Sequence, residues 1–219
     1  MKKNISFVMM IPLVFLLFSC QKNIGSKLSD SICQAPCWRG ITVGTNKDKA
    51  IESLYQMSDI NQQTINMGKS DRPNMQYVIN WKFQDSGESG NIIVNNDVVS
   101  AFYFPLLTKL PLSTAVKIYG IPDYVLINKM VLDRVSSEVY LVYKRGICLE
   151  YQPSIWPFND IDTYKIKAND HIDNIYYSDP SIDEWPIKVC NIGFSSEDYE
   201  KYLSLWEGFS SYSVYQVLP

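Results

Sequence analysis

Residues 76–104 read QYVINWKFQDSGESGNIIVNNDVVSAFYF, and this stretch decides the fold. Gln76 to Phe83 is aromatic and β-branched, as a half-buried strand requires. Asn91 to Val94 and Val98 to Phe104 are two further strand runs. Between them stand Asn95-Asn96-Asp97, residue types that tolerate the left-handed backbone of a short hairpin. Upstream, Gly44-Thr45-Asn46 opens a helix, with Thr45 as its cap and Asp48 three residues later in the manner of a capping box. Ala50, Ile51, Leu54 and Met57 then share one helical face.

Downstream the pattern recurs. Ser113 is placed to cap a second helix whose Leu112, Ala115, Val116 and Tyr119 fall on one face, and Gly120 and Pro122 end it. Tyr124 to Ile127, Glu138 to Tyr143 and Ile147 to Tyr151 read as strands, with a turn at Arg145-Gly146. Helix, three strands, helix, three strands in hairpin order predicts an α+β fold, antiparallel sheets with helices packed on one side. It also allows a tandem helix-plus-three-strand repeat. The expected units are 36–110 and 111–219, the second carrying a long loop at 152–170 and a last helix from Ser196 to Trp206. Trp38, Trp81 and Trp206 are assigned to the core.

Composition excludes several classes. Of the 219 residues 46% are hydrophobic and 20% charged, which is ordinary globular usage and rules out wholesale disorder. A net charge of −3 offers no basic field, so nucleic acid is not expected as a partner. The single His171 excludes every metal site that needs two imidazoles.

The N-terminus is an address. Lys2 and Lys3 precede an apolar run from Ile5 to Phe18, too short to cross about 30 Å of hydrocarbon comfortably. Leu17-Phe18-Ser19-Cys20 resembles a bacterial lipobox. The resemblance implies a signal peptide over 1–19, cleavage before Cys20, and lipid attachment there, acylation with a chain such as palmitate included. Two or three chains are then needed for stable membrane retention, since one anchors only marginally. Residues 20–35 follow as a polar, Ser-rich tether. The expected location is the cell envelope: the outer membrane facing the periplasm in a two-membrane bacterium, or the outer face of the plasma membrane in a single-membrane one.

Setting Cys20 aside leaves Cys33, Cys37, Cys148 and Cys190, an even number in an exported chain. Three connectivities are possible. Cys33 and Cys37 flank Gln-Ala-Pro, whose turn favours a bridge between them, and this pairs Cys148 with Cys190.

Cys33-x-x-Pro36-Cys37-Trp38-x-Gly40-Ile41-x-x-Gly44-Thr45 resembles the opening of a group of uncharacterised exported bacterial proteins with a PCWxGI…GxT signature, although Val43 stands where those proteins usually carry Pro. Tyr119-Gly120-x-Pro122-Asp123-x-Val125 is similar to their second block, and Trp206-x-Gly208-Phe209-x-x-Tyr212-x-x-Tyr215 to their closing segment. More distantly, a capped helix ending near Gly-x-Pro before antiparallel strands resembles the SmpA/OmlA (BamE-like) lipoproteins and, in tandem, the β-lactamase inhibitor proteins. That resemblance implies a protein that binds other proteins and catalyses nothing.

Candidate chemistry is sparse. A Cys/His dyad would need His171 to meet Cys148 or Cys190 with a free thiol. No serine-hydrolase motif and no phosphate-cradling glycine loop occurs, so no cofactor is expected. Residues 159–184 carry Asp160, Asp162, Asp170, Asp173, Asp179, Asp183 and Glu184, which reads as a solvated acidic loop rather than a calcium site because the spacing fits no EF-hand. Trp156-Pro157-Phe158 and Trp185-Pro186 offer Trp156, Phe158 and Trp185 as a rigid aromatic recognition surface for an envelope protein or glycan. The expectation is a non-enzymatic binding module. An envelope hydrolase using acidic residues and a periplasmic inhibitor are the competing readings.

Overall fold

Two residues with left-handed backbone make the first turn of the described chain. Arg39 (φ +49°) and Gly40 (φ +87°) form the turn that joins β1 (Cys37–Trp38) to β2 (Ile41–Thr42). The computed structural model describes residues 37–70, 76–131, 135–153, 163–179, 190, 203–213 and 215–217. Trp38 is buried and stacks on Trp81 at 5.4 Å and on Phe104 at 4.9 Å, so the hairpin is anchored through one aromatic side chain.

Helix α1 (Lys47–Gln56) follows. Its cap is Asn46, whose Oδ1 accepts from the Asp48 N–H at 2.9 Å. The expected cap, Thr45, is occupied elsewhere, its Oγ1 accepting from the Thr42 N–H at 3.0 Å. The expected face holds: Ala50 and Leu54 are buried, and Ile51 and Met57 pack half-buried against the same core. Strands β3 (Ile60–Lys69), β4 (Tyr77–Phe83), β5 (Ser89–Asn95) and β6 (Val98–Pro111) form an antiparallel meander. The β5–β6 turn puts Asn96 at φ +50° and Asp97 at φ +60°, the left-handed pair that the Asn-Asn-Asp sequence predicts. Lys47 reaches back to Asp97 at 2.6 Å and ties the helix start to this turn.

Helix α2 (Leu112–Tyr119) has Pro111 at its cap position and no side-chain cap, contrary to the role expected of Ser113. Its first amides find partners in a neighbouring loop instead: Leu112 N–H donates to Asp170 O at 2.7 Å and Ser113 N–H to Ala168 O at 2.9 Å. Gly120 ends the helix at φ +80°. The strands that follow are β7 (Tyr124–Val131), β8 (Val135–Tyr143), β9 (Ile147–Tyr151), β10 (Thr163–Lys165), β11 (His171–Ser178), β12 (Ser204–Leu205), β13 (Ser211–Ser213) and β14 (Tyr215–Val217).

Ten of these strands make one sheet in the order β12-β7-β8-β9-β11-β6-β5-β4-β3, with β14 added in parallel on β7. The two meanders meet at β6 and β11, where Phe102, Tyr103 and Phe104 stand opposite Tyr177, Tyr176 and Ile175. Both helices contribute to the core on one face, together with Trp38, Trp81, Phe102, Phe104, Leu149 and Tyr177. Gly90 lies opposite Trp81, and a Cβ there would meet the indole Cζ2 at 2.2 Å, so only glycine fits.

The α+β expectation is therefore corrected. The protein is mostly β: among the described residues there are two helices, of 10 and 8 residues, beside a dominant antiparallel sheet. The first helix precedes four strands of the large sheet (β3 to β6) and the second precedes six (β7, β8, β9, β11, β12 and β14), rather than three each. No strand is expected from the sequence at β3, whose INQQTINMGK lacks an apolar alternation, at β11, which lies among acidic residues, or at the short β10, β12, β13 and β14. Strand β10 (Thr163–Lys165) corrects the loop expected over 152–170. The expected terminal helix is also corrected where it can be seen, because Ser204–Leu205 is a strand paired to β7 and Trp206 lies beyond it, half-buried against the core. The rest of that segment lies outside the described residues.

Candidate functional site

The register sorts side chains onto two faces, and the face away from the helices carries the polar chemistry. In the β7-β8-β9-β11 half it presents Leu126 and Asn128, then Glu138, Tyr140 and Val142, then Cys148 and Glu150, then Asn174 and Tyr176. Glu150 stands opposite Tyr140 on one neighbour and Asn174 on the other. Its carboxylate accepts a short hydrogen bond from the Tyr176 hydroxyl and is bonded by the Asn174 side chain. Tyr140 donates to Glu138 Oε2 at 2.7 Å, and Tyr103 donates to Asn174 Oδ1 at 3.2 Å.

Burial sets the protonation states. Glu150 is 4% exposed, and desolvation pushes its carboxyl above the usual range, with Glu138 and Asp173 adding to the rise and the Tyr176 and Asn174 hydrogen bonds opposing it. Burial likewise holds the Tyr140 and Tyr176 hydroxyls far above their ordinary value, helped by Glu150. The two tyrosines therefore stay protonated and donate to the carboxyl oxygens. Two carboxylates do converge, as a hydrolase would require, but Leu126, Val142, Cys148 and Cys190 are all buried around them. A general acid must lie within hydrogen-bond reach of its substrate, and Glu150 has almost no surface to offer. Glu150 is interior structure, with Glu138 half-buried beside it.

Cys148 and Cys190 are joined as a disulfide, with Cα atoms 6.0 Å apart, as expected. This holds Cys190 on the polar face, where Leu203 also packs. It leaves no thiol for a Cys/His dyad, and His171 sits exposed at the start of β11. Cys37 is disulfide-bonded too, while its expected partner Cys33 lies outside the described residues. So do Cys20, Trp156, Phe158 and Trp185.

Of the acidic residues in 159–184, Asp170 and Asp173 are used as structural acceptors. Asp170 Oδ2 receives the Lys167 N–H at 2.8 Å and the hydroxyls of Tyr151 and Tyr164 at 3.2 and 3.3 Å. Burial, reinforced by Asp170, pushes the Tyr164 hydroxyl up to about 12. Asp173 Oδ2 receives the Gln152 N–H at 2.8 Å. Among the described residues no three His, Cys, Asp or Glu side chains gather as a metal site would need.

The other half of the same face is open. Asn66, Asn80 and Asn91 stand in line across β3, β4 and β5, and the line continues to Tyr103 on β6. All four are exposed or half-buried. At the β3 end, where the register shifts between Asn61 and Asn66, Asn61, Gln62, Gln63 and Gln84 line a solvent-open hollow of about 340 Å³. The sequence reading missed this amide surface. Its only signal was the run Asn61-Gln62-Gln63, which looks like loop.

What fold and site define together is a disulfide-pinned, sheet-dominated protein with a closed polar half and an open one. No protein-family model, no curated protein and no solved structure matches the chain.

Proposed function

We propose that this chain is a lipid-anchored protein of the bacterial cell envelope that binds an envelope component and is not an enzyme. The anchoring reading rests on Lys2-Lys3, the apolar run and Leu17-Phe18-Ser19-Cys20. The Cys148–Cys190 disulfide fits an oxidising compartment. The observation that carries the binding reading is the division of the polar face: the half that gathers carboxylates buries Glu150 and leaves Glu138 half-buried, and the accessible half carries amides and a tyrosine beside exposed Lys82. Trp156, Phe158 and Trp185 remain the proposed aromatic anchors for a protein or glycan partner. The resemblance to exported PCWxGI…GxT proteins and to SmpA/OmlA-type lipoproteins agrees with this reading.

The test is in-cell crosslinking of the tagged chain beside a Cys20→Ala variant, with membrane fractionation of both. A reproducible envelope partner, and loss of the protein from the membrane fraction in the variant, is the expected result. Unchanged membrane retention of Cys20→Ala would refute the anchor. Good expression without any crosslinked partner or glycan would refute the binding role.

A further inference from the structure

Three of the four carboxamides that line the hollow at the start of β3, those of Asn61, Gln62 and Gln84, are held by one end. Gln62 Nε2 donates to Tyr55 O at 2.7 Å, and Gln84 Nε2 donates to Ile60 O at 3.3 Å, so each presents its Oε1. Asn61 Oδ1 accepts from the Gln63 N–H at 3.1 Å, which leaves its Nδ2 as a donor. The backbone beneath is fixed as well. Thr64 Oγ1 donates to Asn61 O at 2.6 Å and accepts from the Lys82 N–H at 2.9 Å, while Gln84 N–H donates to Asp59 O at 2.9 Å. The hollow is therefore a set of preoriented donors and acceptors rather than a loose polar surface.

Its four lining residues carry no charge, and the nearest cation on the sheet is exposed Lys82, opposite Asn61 in the β3–β4 register. Asp59, the acid next to the hollow, is held bidentately by Arg39 at 2.6 and 2.9 Å. Mixed amide donors and acceptors without a net charge match a ligand whose own groups are neutral and do both, namely hydroxyl and acetamido groups. A volume of about 340 Å³ lies at the small end of ligand sites and suits a sugar ring. Two residues along β4 from Lys82, the partner of Asn61, the amides Asn66, Asn80 and Asn91 stand in line across three strands at about 4.8 Å per strand. Asn66 and Asn80 are linked side chain to side chain at 3.5 Å. Tyr103 at the far end supplies an aromatic edge.

We propose that Asn61, Gln62, Gln63 and Gln84 form a subsite for a neutral oligosaccharide. This rests on the binding reading above and names its ligand class and place.

The test is titration of the detergent-solubilised full chain, labelled with nitrogen-15, with chitotriose in one arm and maltotriose in the other. Saturating shifts of the side-chain amides of Asn61, Gln62, Gln63 and Gln84, with a Kd of about 1 mM, are expected in at least one arm. An N-acetylated wall glycan is the source if only chitotriose acts; a hexose polymer is the source if maltotriose acts as well or alone. Gln63→Ala with Gln84→Ala should weaken binding at least tenfold at an unchanged melting temperature. Should the double variant fold poorly, Gln63→Ala alone decides, because Gln63 is exposed. No saturation in either arm, equal affinity in the variant, or shifts confined to tryptophan indoles would overturn the subsite. The last of these leaves envelope binding itself standing, since that is judged separately by crosslinking.

Discussion

The two halves of the sheet use the same strand geometry and treat the same face in opposite ways. Across β7, β8, β9 and β11 it is closed, with Tyr140 2% exposed and Glu150 locked to Tyr176. Across β3, β4 and β5 it is open, with half-exposed asparagines that nothing compels to be apolar. The halves share one hydrophobic core on the opposite face, from Trp38 and Trp81 to Leu149 and Tyr151. The difference is therefore not a matter of stability of the fold as a whole. On the closed half, Cys190, held by its bridge to Cys148, and Leu203 pack over the sheet.

The largest way to break the comparison is to cut that bridge. Closing a loop with a sequence separation of 42 residues contributes about 3–4 kcal/mol in the chain-entropy account. Cys148→Ser with Cys190→Ser should lower stability by that amount in denaturant unfolding. Amide hydrogen exchange should quicken in β8, β9 and β11 while β3, β4 and β5 keep their rates. Equal acceleration in both halves would mean that the bridge supports the whole sheet and not the closure of one face.

Legibility in the sequence follows the same division of forces. The strands Gln76 to Phe83, Asn91 to Val94 and Val98 to Phe104 were readable because they line the apolar core and pack as aromatic and β-branched residues do. The hairpin at Asn96-Asp97 was readable because left-handed backbone is rare and residue-specific. Strand β3 was not, because only Ile60 of its ten residues is buried and its pairing is sustained by backbone hydrogen bonds to β4. Thr45 and Ser113 were sound cap candidates locally, but Asn46 and a tertiary contact from residues 168–170 took those roles. The Cys148–Cys190 pair was legible from number and compartment. Neither the Glu150 cluster nor the amide hollow was, since each is assembled by register between strands far apart in sequence.

A second pair of substitutions sharpens the contrast at equal chemistry. Asn174 in the closed half accepts from Tyr103 and bonds Glu150, so Asn174→Ala takes that acceptor from Tyr103 and leaves Glu150 with Tyr176 alone. Leaving buried polar groups without partners costs about 1–3 kcal/mol. Asn80, in the open half, makes one long contact to Asn66 at 3.5 Å and borders solvent. Asn80→Ala should change stability by less than about 0.5 kcal/mol. Equal losses, measured by urea unfolding of the two variants, would erase the distinction between the faces.

The smallest effect is in pH dependence, and it isolates Glu150. Its carboxyl is raised in the folded state, chiefly by burial, so between its unfolded and folded values the native protein binds more protons than the unfolded chain. This group's contribution to stability is then present below the unfolded value, near 4.5, and is lost as pH rises through the folded value. E150Q cannot ionise, yet its carbonyl oxygen can still accept from Tyr176. The wild-type melting temperature should fall with rising pH across that window relative to E150Q, and the two curves should run parallel above it. A difference that instead grows as pH drops below 4.5 would mean that Glu150 is stabilised as an anion, with the Tyr176 and Asn174 hydrogen bonds outweighing desolvation. In that case the closed half would be closed around a buried charge, and its contrast with the open half would be electrostatic as well as steric.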